Sequence, residues 1–248
     1  GQNPWGQVGD GTYTTRLTPV SVLTGATAIS TGLIHTLAVK ADGTLWAWGY
    51  GANGRLGYGS TSNKAVPTQA VGLTNVVAVA AGESHSLALR DDGTVWAFGL
   101  NNDGELGDGT TTQRTTPVQV VGLTGVIAIA AGKATSYALQ ADGANGGIVW
   151  AWGRNTYGQL GDGSLQSRAT PTRVLGITGA RAIAAGTNGA AAIHLDGRVF
   201  TWGGSESGQL GTGGTTAATS AAEVPPIADA RQLVSGTHHV LALDRTTR

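Results

Sequence analysis

The chain carries the stretch Trp-Gly-Arg-Asn-Thr-Tyr-Gly-Gln-Leu-Gly-Asp-Gly at residues 152–163, and its Gly-x-Leu-Gly segment recurs throughout the sequence. Five copies are present, at residues 6–9 (with valine in place of leucine), 54–57, 104–107, 158–161 and 208–211. The copies therefore follow one another at intervals of about fifty residues, a period typical of solenoids and propellers. Because a unit of this size cannot bury its apolar face alone, we expect neighbouring units to form the core between them.

One unit, residues 76–121, predicts four short strands. They are, in chain order, Val76–Ala81, His85–Arg90, Val95–Phe98 and Pro117–Val121. The Asp92-Gly93 pair between the second and third strands favours a hairpin with a type I′ turn, in which both central residues have positive φ. Proline at the start of the fourth strand indicates an outer strand, where no central ladder bond is lost. Four antiparallel strands per unit are typical of one blade of a β-propeller.

Large and small residues alternate along each third strand. The aromatic pairs are Trp46/Trp48, Trp96/Phe98, Trp150/Trp152 and Phe200/Trp202. Each buried ring contributes about 1.5–3 kcal/mol through the area removed from water. We therefore predict that Trp48, Trp96, Trp152 and Trp202 are structural and pack one blade against the next, in preference to stacking on sugars.

The motif at residues 152–163, with the Pro-x-x-Val segments and the Ala-Ala-Gly-Glu-Ser-His-Ser-Leu-Ala-Leu segment at 80–89, resembles the repeat of the regulator of chromosome condensation family. The resemblance covers the whole chain, and the repeat of a propeller-type β-lactamase inhibitory protein is similar. It implies an all-β propeller of four-stranded blades, usually seven in number. Five units are visible here, beginning near Gly1, Gly49, Gly99, Gly153 and Gly203. We expect residues 1–248 to form a single propeller domain or part of a longer one.

The first and last units are irregular. Pro19–Val22 is predicted to be an outer strand without a neighbour, while Arg231–Ser235 and His239–Leu243 are predicted to be the first two strands of an incomplete last blade. An exposed sheet edge is liable to pair with other chains. We therefore expect a partner chain or a further segment to contact this blade.

The composition excludes several classes of function. Charged residues make up 12% of the 248-residue chain and the formal net charge is zero, so the sequence offers no basic surface for nucleic acid. Cysteine is absent, which excludes disulfides and thiolate chemistry. No apolar stretch approaches the ~18 residues needed for membrane insertion. Without a nucleophile–base set or a phosphate-binding loop followed by a helix, we predict no enzymatic activity and no cofactor.

Three histidines occupy the same position of the repeat: His35, His85 and His239. A ring of metal ligands is one interpretation, but Thr135 and Gly189 hold this position in the other units and no carboxylate accompanies it. We therefore predict no metal site and a structural role, in which the imidazoles bond to the neighbouring turn.

The Gly-Asp-Gly segments around Asp10, Asp108 and Asp162 raise the question of calcium. Each loop offers one carboxylate, whereas a calcium site needs several oxygens from one compact loop, so a turn role is favoured. Basic residues follow in four units, at Arg16, Lys64, Arg114 and Arg168. Three of them predict ion pairs within a blade, and Lys64 is expected to face Tyr58.

The loops fall into two groups at opposite ends of the strands. The Asp-Gly hairpins and Gly-Leu-Thr turns hardly vary between copies, whereas the Gly-x-x-His turns and the loops after Trp-Gly vary. Positions that escape the repeat are free for recognition. The candidate partner-binding residues are Tyr50, Glu83, Asn102, Lys133, Arg154, Tyr157, Glu206 and His238.

Three functions compete. A protein-binding scaffold from a bacterial protein, extracellular or at the cell surface, is the first hypothesis. The family resemblance implies the second, guanine-nucleotide exchange on a small GTPase, although the namesake's basic features for chromatin are missing from this neutral chain. The similarity to the β-lactamase-binding propeller suggests the third, inhibition of an enzyme. Fold analogy does not separate them.

Overall fold

The structure, a computed structural model, describes residues 1–244 and is all-β, with four four-stranded antiparallel blades followed by a two-stranded sheet. The third and fourth blades form one eight-stranded sheet, because Gly147 of the third pairs with Ala180 of the fourth. Blade I contains β1–β4: Ala26–Thr31, His35–Lys40, Leu45–Gly49 and Lys64–Gln69. Blade II contains β5–β8: Val76–Ala81, His85–Arg90, Val95–Gly99 and Arg114–Gln119. Blade III contains β9–β12: Val126–Ala131, Thr135–Ala141, Gly147–Gly153 and Arg168–Arg173. Blade IV contains β13–β16: Ala180–Ala185, Gly189–His194, Val199–Gly203 and Ala218–Glu223. The last sheet contains β17 and β18: Ala230–Ser235 and Val240–Asp244.

The strand predictions are confirmed for the inner three strands of a blade, and the outer strand is shifted. In blade II, β8 begins at Arg114, three residues before the predicted start at Pro117, and ends at Gln119. The register explains the shift, because Gly99 pairs with Arg114 across an irregularity in the ladder. Proline therefore lies inside the outer strand, at an edge where its missing N–H removes no ladder bond.

The hairpins are present, but the predicted turn type is wrong. Gly93 has φ 75°, as does Gly43 in the equivalent hairpin of blade I, whereas neither Asp92 nor Asp42 is among the residues with positive φ. Gly43 N donates to the Lys40 carbonyl at 2.9 Å, and Lys40 N donates to the Thr44 carbonyl at 3.0 Å. This is a three-residue loop, a type I turn followed by a left-handed glycine. Asp42 holds it by accepting from the backbone N–H and hydroxyl of Thr44.

The hydrophobic core lies between blades. Leu87 and Leu89 of blade II pack in one cluster with Val126, Ala138 and Trp152 of blade III. The first strands of successive blades also contact one another around the axis, from β1 through β5, β9 and β13 to β17. Each blade therefore buries the apolar face of the one before it, as the repeat predicts.

A hydrogen bond fixes each of three tryptophans against the preceding Gly-x-Leu-Gly loop. The indole N–H of Trp152 donates to the Glu105 carbonyl at 2.9 Å, and the same carbonyl accepts from the Ser136 hydroxyl at 2.7 Å. Gly107 closes this loop at φ 67°, and a Cβ there would lie 2.7 Å from the indole nitrogen. The equivalent bonds join Trp48 to Gln7 and Trp202 to Gln159.

Trp96 belongs to the other row of aromatic residues. Its ring is half-buried, it packs against the core cluster between blades I and II, and its N–H donates to the hydroxyl of Thr94 at 3.3 Å. The fully buried ring in this blade is Phe98, which lies against Gly57. Phe98 therefore holds the position of Trp152, without an N–H to donate.

Two of the three predicted structural histidines are buried between blades. His35 Nε2 lies 3.0 Å from the Ser86 hydroxyl, which itself donates to the Arg55 carbonyl at 2.8 Å, so the imidazole nitrogen must be the donor. His85 meets Ser136 in the same way at 2.9 Å. Burial lowers the pKa of His35 to about 3 and that of His85 to about 4, and the Arg55 charge adds to both shifts. Both rings are therefore neutral at pH 7.

His239, the third of these residues, is exposed, unlike His35 and His85, although its ring likewise lies against the glycine of its turn, Gly236. His35 and His85 each bond to a serine on the second strand of the following blade. Among residues 1–244 no blade follows the sheet of β17 and β18, so His239 has no such serine to contact.

The predicted ion pairs are confirmed. They join Asp10 to Arg16, Asp108 to Arg114 at 2.7 Å and Asp162 to Arg168 at 3.0 Å. Lys64 instead lies over the ring of Tyr58, at 4.6 Å from the centroid. Lys64, Arg114 and Arg168 each begin an outer strand and contact the long loop of their blade, and Arg16 makes the equivalent contact in the first long loop without a strand.

Three of the long loops contain a buried asparagine, Asn3, Asn101 or Asn155, and this side chain makes more contacts than the ion pairs do. The Asn101 amide nitrogen lies within 3.2 Å of Asp108 Oδ1 and of the Thr110 and Thr112 carbonyls. Its oxygen accepts from the backbone N–H of Leu106 at 2.9 Å. The side chain is fully buried, so it satisfies polar groups that water does not reach.

We expect Asn101→Ala to lower the free energy of unfolding by about 1–3 kcal/mol, because the buried Leu106 N–H loses its acceptor. Arg114→Ala is the matched change in the same loop and should cost about 0–1 kcal/mol, since that ion pair is partly exposed. Urea denaturation of the two variants tests this difference. Equal losses would mean that the amide network is no more important than the surface pair.

The two ends of the arc expose surface that the inner blades bury. Leu241 and Leu243 are each 59% exposed, whereas the equivalent Leu87 and Leu89 of blade II are almost fully buried. At the other end, the predicted outer strand Pro19–Val22 is not a strand. The reason is that residues 1–244 supply no third strand to pair with its backbone groups.

Candidate functional site

The variable loops lie together at one end of the blades, which we call the loop face. It consists of the turns between first and second strands, at residues 33–34, 83–84, 133–134, 187–188 and 237–238, and the long loops after the third strands. Backbone bonds join the two kinds of loop, such as Tyr50 N to the Ile34 carbonyl at 2.9 Å and Arg154 N to the Ala134 carbonyl at 2.9 Å. The variable side chains therefore project from an ordered backbone. The opposite end, with the Asp-Gly hairpins, is the hairpin face.

A depression of about 390 Å³ opens at the centre of the loop face, and its wall is formed by turns of all four blades and of the last, two-stranded sheet. Glu83 and Lys133 lie on its rim, with 3.5 Å between carboxylate and ammonium. Both side chains are exposed enough to exchange partners, so the pair itself adds little stability.

Tyr50 lies between Trp5 and Arg55, two residues that are not among the predicted site residues. The Trp5 ring packs on it with centroids 4.7 Å apart and the planes tilted by 57°. On the Arg55 side, the guanidinium carbon lies 5.0 Å from the centroid of the Tyr50 ring. Trp5 remains 40% exposed. Trp5 occupies the same repeat position as Tyr157, two residues after a buried asparagine. Alignment of the copies could therefore have identified Trp5 from the sequence.

Arg55 is almost fully buried and pairs with no carboxylate among the described residues. Its Nε donates to the Ala52 carbonyl at 2.9 Å and its Nη1 to the Glu83 carbonyl at 2.8 Å. Burial lowers the pKa of the guanidinium, and Tyr50 and Glu83 act in the opposite direction. The other copies have glutamine or glutamate at the position of Arg55. This difference is the sequence signal that marks the position.

The other predicted site residues lie on the same face but outside this group of contacts. Asn102, Glu206 and His238 are exposed, and Tyr157 is 36% exposed. Arg154 donates to the Thr156 hydroxyl within its own loop. Among residues 1–244 the structure thus brings Tyr50, Glu83 and Lys133 into one group and leaves these five around it.

The described part of the chain contains no cluster of three histidine or acidic side chains that would hold a metal ion. It likewise contains no helix long and apolar enough to span a membrane. The chemistry of the loop face is that of aromatic rings, amides and ion pairs, which is suited to recognition of another molecule.

Comparison with known proteins matches nearly the whole chain to one family. A family model, the RCC1-like domain, matches residues 1–243. The chain belongs to the RCC1-like domain family. Among solved structures it is similar to human WBSCR16, with a TM-score of 0.84 and 24% identity, over 98% of this chain and 66% of that one. It is also similar to Prp20p from Saccharomyces cerevisiae, with a TM-score of 0.74 and 21% identity, over 86% of this chain and 54% of that one.

A shorter match links this RCC1-like chain to the Arabidopsis thaliana ultraviolet-B receptor UVR8. The two are 38% identical over 71 residues, which is 27% of this chain and 16% of the receptor. The chain spans less than two-thirds of the length of each of these three proteins. The structural similarities establish the propeller fold, and the predicted family is confirmed.

Proposed function

We propose that this RCC1-like chain is a non-enzymatic scaffold whose loop face binds a protein partner. One observation carries the proposal: the exposed side chains of the loop face differ from copy to copy on a backbone that is otherwise repeated. Arg154 and Tyr157 project from one such loop, and aromatic residues and arginine are the types that anchor interfaces. Packing of the core gives no reason for this variation, because these side chains lie at the surface.

The proposal extends to where the scaffold acts. We propose an extracellular or cell-surface protein of a bacterium; a composition rich in alanine, glycine and threonine, with more arginine than lysine, supports the bacterial source. Fractionation of the source cells, followed by detection of the chain with an antibody, tests this part independently of binding.

The binding test compares the protein with a variant changed at Glu83→Lys, Lys133→Glu, Arg154→Ala and Tyr157→Ala. Each is immobilised and exposed to an extract of the source organism, and the retained proteins are quantified by mass spectrometry. We expect one protein to be retained at least tenfold more on the unchanged chain. Leu195→Ala, an exposed leucine of the hairpin face, is the control and should retain it fully. Equal retention on all three would contradict the proposal.

A second candidate is nucleotide exchange on a small GTPase, supported by the family and by one relative. Prp20p is described with its binding to Gsp1p and to histones, and its complex with Kap60 has been solved. The test is release of a fluorescent guanine nucleotide from purified small GTPases of the source organism. If this chain accelerates nucleotide release and the loop-face variant does not, exchange is favoured over a purely binding role. Inhibition of an enzyme would instead appear as loss of the retained protein's own activity.

A further inference from the structure

A continuous line of contacts crosses the loop face, and we call its five residues the docking strip: Trp5, Tyr50, Arg55, Glu83 and Lys133. The Trp5 ring packs on Tyr50, and the Tyr50 ring is covered by Arg55. Arg55 donates to the Glu83 carbonyl, and the Glu83 carboxylate pairs with Lys133. The strip thus runs from the first long loop to the turn of blade III and ends on the rim of the central depression.

We propose that the docking strip takes a protruding loop of a folded protein, with an apolar or aromatic side chain on Trp5 and Tyr50 and an amide or hydroxyl on the Glu83–Lys133 pair. This proposal rests on the proposed function, since it specifies which part of the loop face binds and what kind of partner surface fits it.

The apolar end of the strip is ordered before any partner arrives. Tyr50 is packed between Trp5 and Arg55, and its backbone N–H is bonded to the turn at Ile34. Trp5 is 40% exposed at the outer side of this stack. Because these rings have little freedom left to lose, contact with them costs less conformational entropy than contact with free side chains.

Arg55 orders the strip in a way that the other loops do not share. In blade III, Gln159 Oε1 accepts from the backbone N–H of Tyr157 at 2.7 Å, and in blade II Glu105 Oε2 accepts from that of Asp103 at 2.8 Å. A guanidinium has no acceptor. Arg55 therefore donates instead, and its bond to Glu83 joins the long loop of blade I to the turn of blade II.

Burying the Arg55 guanidinium without a carboxylate partner costs free energy. Glutamine at this position would order the loop equally well, as Gln159 does in blade III. A residue that departs from the local rule at a stability cost is expected at functional positions. Arg55 departs from the repeat in the loop that carries Tyr50, and the exposed Trp5 lies beside that loop. We therefore assign the function to the docking strip.

The shape and charge of the polar end specify the partner. The depression beside Glu83 and Lys133 has a volume of about 390 Å³, so a flat partner would leave it filled with water, whereas a protruding loop would enter it. The ion pair presents one positive and one negative group without net charge. Neutral groups that both donate and accept, such as amides and hydroxyls, complement it better than a single charge does.

The test uses a library of random loops displayed on a small folded scaffold, selected against the full chain, with a linear peptide library selected in parallel. We expect the folded-loop library to give the tighter binders, each with an aromatic or large aliphatic residue at the loop tip. Their affinity should fall at least tenfold with Trp5→Ala and with Tyr50→Ala, and Trp5→Phe should retain most of it. Leu195→Ala on the hairpin face should leave the affinity unchanged.

Arg55→Gln separates positioning from folding, because glutamine holds the same position at Gln159. We expect its thermal unfolding midpoint to stay within a few degrees of the unchanged protein, while the selected loops bind about tenfold more weakly. Hydrogen exchange at residues 50–56 and 83–84 should become faster. Unchanged binding by Arg55→Gln would overturn the positioning role of Arg55 in the strip.

The other outcomes separate this proposal from the proposed function. Loops that lose affinity with Arg154→Ala or Tyr157→Ala but not with Trp5→Ala would overturn the docking strip and leave the loop face as the binding surface. Loops that lose affinity only with Leu195→Ala would overturn both. Linear peptides that bind the strip as tightly as folded loops would overturn the choice of a protruding loop.

Discussion

Trp152→Ala is expected to lower the free energy of unfolding by about 3–5 kcal/mol, the usual cost of removing a large buried aromatic side chain. Trp152 is fully buried in the cluster between blades II and III. Its loss would leave a cavity against Gly107 and remove one of the two donors to the Glu105 carbonyl. Urea denaturation followed by circular dichroism measures the effect without relying on tryptophan fluorescence.

Trp152→Phe is the matched control, because Phe98 fills the same position of the repeat in blade II. We expect it to cost about 1–2 kcal/mol, since the ring is kept and the Glu105 carbonyl still accepts from Ser136. A loss below about 1 kcal/mol for Trp152→Ala would mean that contact between blades is not the main source of stability. Equal losses for both changes would assign the effect to the hydrogen bond and not to packing.

The second large effect is a loss of stability on mild acidification. The pKa of His35 is lowered to about 3 and that of His85 to about 4, chiefly by burial, so the unfolded chain binds protons that the folded chain does not. The stability is therefore complete above the unfolded pKa of about 6.5 and decreases as the pH falls. Between pH 7 and pH 4.5 each histidine should cost about 2–3 kcal/mol of unfolding free energy.

Other titrating groups also change the stability as the pH falls, each in a direction set by its pKa shift. The lowered pKa values of Asp108 and Asp162 act below about pH 4, outside the window. Burial raises the pKa of Glu105, which opposes the effect of the histidines because the folded state then binds the proton more tightly.

The control is a double variant, His35→Thr and His85→Thr, since Thr135 holds this position in blade III. Denaturation midpoints of the double variant should lose most of their dependence on pH between 7 and 4.5; an unchanged dependence would contradict the assignment.

Much of the fold is predictable from the sequence because the repeat states the same packing several times. The first two strands of blade II agree with the strand-length segments Val76–Ala81 and His85–Arg90, and the Gly-x-Leu-Gly loop contacts the tryptophan of the next blade. The hairpin turn was mistaken because Asp-Gly also suits a three-residue loop, in which only glycine needs positive φ. The outer strand was misplaced because its register depends on an irregular ladder that periodicity does not show.

The candidate site was less predictable because its residues meet across blades. Glu83 and Lys133 lie fifty residues apart in the chain and form one pair on the rim of the depression. Trp5 and Arg55 were missed since neither stands out until the copies are aligned and the tertiary contacts to Tyr50 are seen. His239 shares the repeat position of His35 and His85, but burial of that position depends on the following blade, which the repeat alone does not show.

Site-specific photo-crosslinking in the source organism tests most directly whether the loop face is the binding surface. A photoreactive phenylalanine analogue would replace Tyr50 or Tyr157 on the loop face, and Leu195 or Val121 elsewhere on the surface. We predict that the two loop-face positions crosslink to the same protein and that the other two do not. Crosslinks to that protein from Leu195 or Val121 alone, or no crosslink from either tyrosine position, would contradict the account.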